Sequence, residues 1–217
     1  MAQTQQEKRE RIVRCFRKLY EQGTINLYEG NFSARCGEYI LMTPSQQNKE
    51  TMTPEMLVVL DGEGNLLSSN GLSPSSEAGM HLEIYRLRRD LGAVVHTHSA
   101  CASAFALAGM PIRSEQAELY LFYGGEIPCC SYGAPGTKGV FADFERYFLE
   151  ERRDVVLLAN HGLVAAGRDI EEAFSRAEAV EKIARTALLA RLLGGECPLP
   201  DGAAAVLTGR WLRGRDC

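Results

Sequence analysis

Two short apolar segments of this 217-residue sequence each run directly into histidine. The first, Ala93-Val94-Val95, leads into His96-Thr97-His98, and the second, residues 154–159, leads into Asn160-His161-Gly162. Short apolar runs next to polar and glycine residues predict buried strands. Because the binding sites of α/β proteins form where strands end, we expect three of the four histidines in the chain to meet there.

Between these segments the sequence has the pattern of amphipathic helices. Residues 7–21 and 170–188 repeat apolar side chains at helical spacing, and we expect each to bury one face. Further helices are predicted to begin at Thr53-Pro54 and to span residues 75–89, 99–108 and 139–150, with further strands at 39–42 and 57–60. Strands that alternate with helices predict a single α/β domain over residues 1–217, in which residues 196–217 form a weakly patterned tail.

The spacing of the histidines favours a metal site. Side chains at positions i and i+2 of a strand leave the same face, so His96 and His98 can bind one ion, with His161 as a third ligand. Three neutral imidazoles leave most of the charge of a divalent cation uncompensated, which suits Lewis-acid catalysis better than a closed structural site. The alternative is that these are surface and loop histidines without a shared ligand. For His81, inside a predicted helix, we expect a structural role.

Other metal-binding folds with two histidines at this spacing fit less well. Metallo-hydrolases with a His-x-His-x-Asp-His motif require aspartate and histidine where Ala100 and Cys101 stand. Cupins are β-sandwich proteins, and this chain has too many predicted helices for that fold.

Charge and cysteine content narrow the partners and the compartment. The formal net charge is −4 and no basic run occurs, which argues against nucleic acid or an anionic membrane as a partner. Residues 1–11 do not resemble a signal peptide, and the weakly polar stretch at 100–112 is too short to span a bilayer. The seven cysteines include no Cys-x-x-Cys pair, which predicts reduced thiols and a cytoplasmic location.

Six short motifs, in order along most of the chain, resemble those of the class II aldolase/adducin family. They are Gly30-Asn31-Phe32-Ser33, Thr43-Pro44-Ser45, Pro74-Ser75-Ser76-Glu77, Val95-His96-Thr97-His98-Ser99, Ile127-Pro128 and Asn160-His161-Gly162. The similarity is greatest to the branch of the L-fuculose-phosphate aldolases. The resemblance implies a three-layer α/β/α sandwich around a mainly antiparallel sheet, and a homotetramer with sites between subunits.

The resemblance also implies roles for individual residues. One Zn²⁺ per subunit would be held by His96, His98 and His161, and Glu77 would act as catalytic acid/base and as a ligand of the resting metal. A second acid/base is expected at Glu118 or Tyr120. The implied phosphate-binding set consists of Gly30, Asn31, Ser45, Ser75 and Ser76. Ser75 and Ser76 also open a predicted helix, whose free N–H groups attract an anion.

One position departs from the family pattern. Gln46 stands where the family usually has glycine, which would let a backbone N–H approach the phosphate closely. Lys49 is a nearby cation that can compensate, although its sequence context favours a solvated surface lysine.

The expected reaction is cleavage of a ketose 1-phosphate, such as L-fuculose 1-phosphate, to dihydroxyacetone phosphate and an aldehyde. Glu77 favours this cleavage over epimerisation, because the epimerase branch resembles Pro-Ser-Ser-Asp at this motif. The alternatives are a dehydratase of the methylthioribulose-1-phosphate type, a ribulose-5-phosphate 4-epimerase and a non-enzymatic scaffold of the adducin type.

Overall fold

The computed structural model describes residues 4–214, and its centre is an eight-stranded sheet in the order β4-β3-β2-β1-β5-β8-β7-β6. Six of the seven neighbouring strand pairs are antiparallel, and only β6 and β7 run parallel. The strands are β1 (Asn31–Cys36), β2 (Tyr39–Met42), β3 (Val58–Leu60), β4 (Leu66–Ser68), β5 (Ala93–Thr97), β6 (Cys129–Cys130), β7 (Val155–Leu158) and β8 (Gly162–Gly167).

Helices cover both faces of this sheet. They are α1 (Gln5–Glu21), α2 (Ala78–Leu87), α3 (Ala100–Leu107), α4 (Ala117–Tyr123), α5 (Ile170–Leu192) and α6 (Ala203–Arg213). One buried cluster joins α1, α3, α4 and α5 to one face of the sheet, and a second joins α2 and the segment 140–148 to the other face. The expected single-domain α/β/α sandwich with a mainly antiparallel sheet is therefore confirmed.

The two longest helices lie where the apolar spacing predicts them. Thr4 and Glu7 cap α1 reciprocally, because each side chain accepts a hydrogen bond from the backbone N–H of the other residue. Asp169 caps α5 through the backbone N–H of Glu172. Both helices bury their apolar face in the core. Helix α5 packs on β5 and β8, whereas α1 packs on β1 and on α5.

Several local predictions differ from the structure. The helix expected at Thr53-Pro54 is a single 3₁₀ turn, Pro54–Met56, and the one expected at 139–150 is divided into a 3₁₀ segment, Lys138–Phe141, and a π-helical segment, Glu145–Glu150. Strand β1, which was not predicted, alternates polar and apolar residues from Asn31 to Cys36. Strands β4 and β8 have no such alternation. Their pairing with neighbouring strands, rather than their own composition, makes them strands.

The C-terminal tail, for which the sequence has no clear pattern, contains α6. This helix packs on α4, and the Trp211 ring covers Gly124, where an added Cβ would lie 2.7 Å from a ring carbon. The Arg153 guanidinium lies 5.3 Å from the centre of the same ring. A close fit of one aromatic side chain against a bare backbone thus attaches the tail to the domain.

The cysteines agree with the expectation of reduced thiols as far as the structure describes them. Cys15, Cys36, Cys101, Cys129, Cys130 and Cys197 are all free, while Cys217 lies outside the described residues. Burial raises the pKa of the Cys15 thiol to about 11, which keeps this thiol protonated and unreactive. Within residues 4–214, no helix has both the length and the apolar character required to cross a bilayer.

Candidate metal centre

Four side chains from three parts of the chain meet where the central strands β5 and β7 end. They are Glu77, His96, His98 and His161, and one ligand atom from each lies within 4.8 Å of the others. The three imidazole centroids form a nearly equilateral triangle, with separations of 4.8, 4.7 and 4.9 Å. The structure thus brings together the four residues that the sequence suggested as metal ligands.

His96 lies in β5 and is completely buried, so its ring has a fixed orientation. Its Nδ1 atom is 2.9 Å from the backbone carbonyl oxygen of Leu163 on the neighbouring strand β8. A carbonyl can only accept a hydrogen bond, so the neutral ring carries its proton on Nδ1 and turns the lone pair of Nε2 towards the cluster. A backbone partner of this kind is the usual means by which proteins orient a metal-binding histidine.

His98 lies in the short link between β5 and α3, and His161 lies in a turn that approaches this link closely. His98 is the first residue after β5, and its Nδ1 atom lies 4.0 Å from a Glu29 carboxylate oxygen. His161 occupies the tight turn between β7 and β8, where Asn160 takes a left-handed φ of 58°. An added Cβ at Gly162 would lie 2.5 Å from the Thr97 carbonyl oxygen and 3.0 Å from the His98 ring. The Asn-His-Gly motif is therefore required by close packing as well as by chemistry.

Glu77 reaches the cluster from the N-terminus of α2. Its Oε2 atom accepts a hydrogen bond of 2.8 Å from Asn31 Nδ2 and lies 3.3 Å from His96 Nε2. Its Oε1 atom lies 3.3 Å from His161 Nε2, yet it is buried and has no hydrogen-bond partner within residues 4–214. A buried carboxylate oxygen without a partner is energetically costly, so this position requires a cation or a proton.

The donor set fits a divalent cation. Burial, together with His98 and His161, holds the pKa of His96 well below its usual value, and burial also lowers the pKa of His161. Both imidazoles are therefore neutral at pH 7, as metal ligation requires. Three imidazole nitrogens and one carboxylate oxygen are ligands that several divalent transition metals accept.

The expected phosphate-binding residues form a second group beside Glu77. A bridge between Pro44 and Pro74 joins the two loops, and the Ser45 N–H donates to the Ser73 carbonyl oxygen at 2.9 Å. The Ser75 hydroxyl accepts from the Glu77 N–H at 3.2 Å, whereas Ser76 is exposed. The helix expected to start at Ser75 or Ser76 begins at Ala78, because Glu77 itself occupies the capping position.

Gly30 and Asn31, two other residues expected to bind phosphate, have structural roles. Gly30 has a φ of 78°, and an added Cβ would lie 2.9 Å from the His96 carbonyl oxygen, so only glycine fits there. The amide of Asn31 already binds Glu77 on one side and His81 on the other. His81, for which the sequence predicted only a structural role, contacts both Asn31 and Ser33 through its ring nitrogens. The i, i+4 spacing of Glu77 and His81 is the sequence signal that was missed.

The loop that departs from the family pattern keeps the backbone shape of a glycine. Gln46 has a φ of 53°, in the left-handed region that glycine favours. The expectation of a surface position for Lys49 was wrong, because Lys49 is only 2% exposed. Its ammonium lies 4.9 Å from the centre of the Phe16 ring, and burial lowers its pKa to about 8.

The two candidates for a second acid/base lie on α4, outside the cluster of ligand atoms found among residues 4–214. Glu118 is exposed, and Tyr120 is half-buried. Burial and the neighbouring carboxylates of Glu115 and Glu196 raise the pKa of Tyr120. Their catalytic roles stay predictions.

The fold and the cluster together are those of a metal-dependent α/β enzyme. Residues 10–188 match the family model described as Class II Aldolase and Adducin N-terminal domain, and the chain belongs to this family. It is an enzyme of the class II aldolase type, whose members are metal-dependent lyases.

Individual relatives resemble the chain over most of its length. It is 35% identical over 198 residues to 5-deoxy-D-ribulose 1-phosphate aldolase of Bacillus thuringiensis serovar kurstaki, which covers 90% of this chain and 91% of that protein. It is 36% identical over 157 residues to 5-methylthioribulose-1-phosphate/5-deoxyribulose-1-phosphate aldolase of Rhodospirillum rubrum, covering 71% and 68% of the two chains. A solved L-fuculose 1-phosphate aldolase superposes with a TM-score of 0.85 at 27% identity, over 95% of this chain and 96% of that one.

Proposed function

We propose that this protein is a zinc-dependent aldolase that cleaves a ketose 1-phosphate to dihydroxyacetone phosphate and an aldehyde. The observation that carries the proposal is the buried Oε1 atom of Glu77, which lies among three histidines and has no hydrogen-bond partner in the part of the chain that the structure describes. This geometry supports two roles for the Glu77 carboxylate, as a ligand of the metal and as the carrier of a proton. The names of the relatives support the substrate class, because each refers to a ketose phosphate aldolase.

The reaction breaks the bond between C3 and C4 of the sugar. The hydroxyl on C4 loses its proton, and the electron pair of the broken bond moves towards the C2 carbonyl. C3 then takes up a proton to give dihydroxyacetone phosphate. When bound, a divalent cation supplies positive charge that stabilises the negative charge developing on substrate oxygens.

Glu77 would carry the proton to C3, and the contacts of its carboxylate with Asn31 and His161 support this role. Glu118 or Tyr120 would handle the proton of the C4 hydroxyl. The sugar phosphate would bind beside the start of α2, where Ser75 and Ser76 precede the helix and the bridge between Pro44 and Pro74 brings the loop of Ser45 alongside. The positive end of the helix dipole would favour an anion there. Gly30 and Asn31 would form the wall between the phosphate and the metal.

The position of the expected second acid/base supports an assembly of several subunits. Glu118 is exposed and lies outside the cluster in its own chain, so it is available to a neighbouring one. We therefore propose a homotetramer with active sites between subunits and one Zn²⁺ in each. Reduced thiols support a cytoplasmic location.

A dehydratase of methylthioribulose-1-phosphate is the second candidate function, with Glu118 as base. It would release water and leave the carbon chain intact. The relative from Rhodospirillum rubrum that acts on this type of sugar is named an aldolase, which favours cleavage. An epimerase is favoured less, because residue 77 is glutamate.

A substrate panel tests the proposal. L-Fuculose 1-phosphate, 5-deoxy-D-ribulose 1-phosphate and 5-methylthioribulose 1-phosphate are incubated with purified protein, and dihydroxyacetone phosphate is measured by coupled NADH oxidation. We expect at least one ester to be cleaved, with loss of activity after chelation and recovery with Zn²⁺. Metal analysis of the same sample should give about one ion per chain. Water release without triose phosphate would indicate the dehydratase, and a lack of reaction with all three esters would contradict the aldolase.

A further inference from the structure

A ladder of buried polar side chains leads away from the candidate metal centre, between α2 and β1. Glu77, His81 and Tyr85 follow one another at i, i+4 spacing and share one side of α2. Asn31 and Ser33 lie at i and i+2 on β1 and therefore share one face of the strand. We call these five residues the α2–β1 ladder.

Every neighbouring pair in the ladder is within hydrogen-bond distance. Tyr85 Oη lies 2.8 Å from Ser33 Oγ, and Ser33 Oγ lies 2.7 Å from His81 Nδ1. On the other side of the ring, His81 Nε2 lies 2.6 Å from Asn31 Oδ1. Asn31 Nδ2 then donates to Glu77 Oε2 at 2.8 Å. Tyr85, Ser33, His81 and Asn31 are all buried, so water cannot replace these partners readily.

The orientation of the Asn31 amide sets the direction of all the hydrogen bonds in the ladder. Asn31 presents its N–H to the Glu77 carboxyl oxygen and turns its own carbonyl oxygen, which can only accept, to His81. Burial lowers the pKa of His81 to about 3, so the ring is neutral and has a single N–H. That proton must be on Nε2, and Nδ1 accepts from Ser33, which in turn accepts from Tyr85.

We propose that His81 is a positioning residue that, protonated on Nε2, holds the amide of Asn31 with its N–H towards Glu77. The inference rests on the proposed role of Glu77 as proton carrier. An asparagine amide can turn by 180°, and the turned form would place its oxygen against the Glu77 carboxylate. The carboxylate would then rotate away from Asn31, and its Oε1 atom would leave its place among the histidines.

Two substitutions that differ only in reach test which ring nitrogen matters. A glutamine amide can place its N–H near the position of Nε2, whereas an asparagine amide reaches only the position of Nδ1. We expect His81→Leu and His81→Asn to lower kcat about 10–100-fold, the range typical of residues that support a metal ligand. KM and metal content should stay nearly unchanged, because the three histidines still hold the ion. His81→Gln should recover most of the lost kcat. Recovery by asparagine and not by glutamine would overturn the proposal.

A double substitution separates positioning from general damage to the fold. If His81 acts through Glu77, then His81→Leu should cause no further loss of kcat in a Glu77→Gln background. An equal loss in both backgrounds, together with a lower Tm, would indicate a structural role only and would overturn the proposal.

A spectroscopic measurement tests the same inference without activity. Long-range ¹H–¹⁵N correlation spectra of the full-length protein should show the His81 ring as neutral and protonated on Nε2. A ring protonated on Nδ1 would overturn the proposal. If the protein cleaves none of the sugar phosphates, the proposed function fails. The ¹H–¹⁵N spectrum still decides, independently of activity, whether His81 orients Asn31.

Discussion

The two ends of β5 and β7 carry polar clusters of opposite character. At the end where both strands finish, one carboxylate meets three histidines, and a buried oxygen of Glu77 lacks a hydrogen-bond partner within residues 4–214. Where both strands begin, Arg88 binds Asp90 through two hydrogen bonds of 2.8 and 2.6 Å and lies 3.2 Å from Asp154. Arg176 lies 3.2 Å from the other oxygen of Asp154. We call the second group the arginine cluster.

The difference lies in whether the polar groups satisfy one another. In the arginine cluster two cations face two carboxylates, and the guanidinium of Arg88 holds the pKa of Asp90 below its usual value. Such a cluster needs no ligand, and removal of one partner would leave a buried charge. The metal centre is incomplete without a cation. A buried polar cluster that is satisfied thus indicates stability, while an unsatisfied one indicates chemistry.

The largest effect is expected where the unsatisfied cluster loses a ligand. His96→Ala should lower turnover by at least about 10⁴-fold, because the charge that stabilises the reaction is lost with the metal. Metal analysis should find the ion depleted, and circular dichroism should show an intact fold. A variant that keeps both its metal and its turnover would show that the four-residue cluster is not the metal centre.

Glu77→Gln should have the next largest effect. Three imidazoles remain as ligands, so the metal should be retained, but turnover should fall about 10³-fold because the proton carrier is gone. Metal content and kcat are measured on the same preparation. Loss of the metal together with activity would indicate that Glu77 serves chiefly as a ligand.

At the other end of the strands, Asp154→Ala should affect stability and leave kcat unchanged. It removes a carboxylate from Arg88 and Arg176, and the free energy of unfolding should fall by about 2–4 kcal/mol. Urea unfolding measures this change. The control is Glu38→Ala, which also removes a carboxylate but at an exposed turn, where little loss of stability is expected. A loss of turnover with unchanged stability would mean that the arginine cluster also takes part in catalysis.

The smallest effect is expected at Gln46. Its left-handed backbone already has the shape that glycine favours, so Gln46→Gly should change the free energy of unfolding by only about 1 kcal/mol. If the side chain limits access to the phosphate, the KM of the sugar phosphate should fall. An unchanged KM would show that the side chain points away from the substrate.

The sequence predicted those parts of the fold in which local pattern and tertiary environment agree. Helices α1 and α5 have a helical repeat of apolar residues with a polar cap, and strands β2, β5 and β7 are short apolar runs. The residues of each of these elements are sufficient to predict that it is buried. Strand β8, rich in alanine and glycine, and helix α6, with its weak pattern, depend on what packs against them, so they were missed.

By itself, the sequence determined which chemical groups are available and where each stands in its local element. His96 lies in β5, His98 directly follows that strand, and His161 lies in the turn after β7. The sequence predicted these positions because a strand period of two and a tight turn are local properties. Only the tertiary structure decided that Lys49 is buried, that His81 binds Asn31, and that Asp154 balances two arginines. His81 and Asn31 are 50 positions apart, and Arg88 and Asp154 are 66 positions apart. The periodicity of a single helix or strand carries no information about such distant partners.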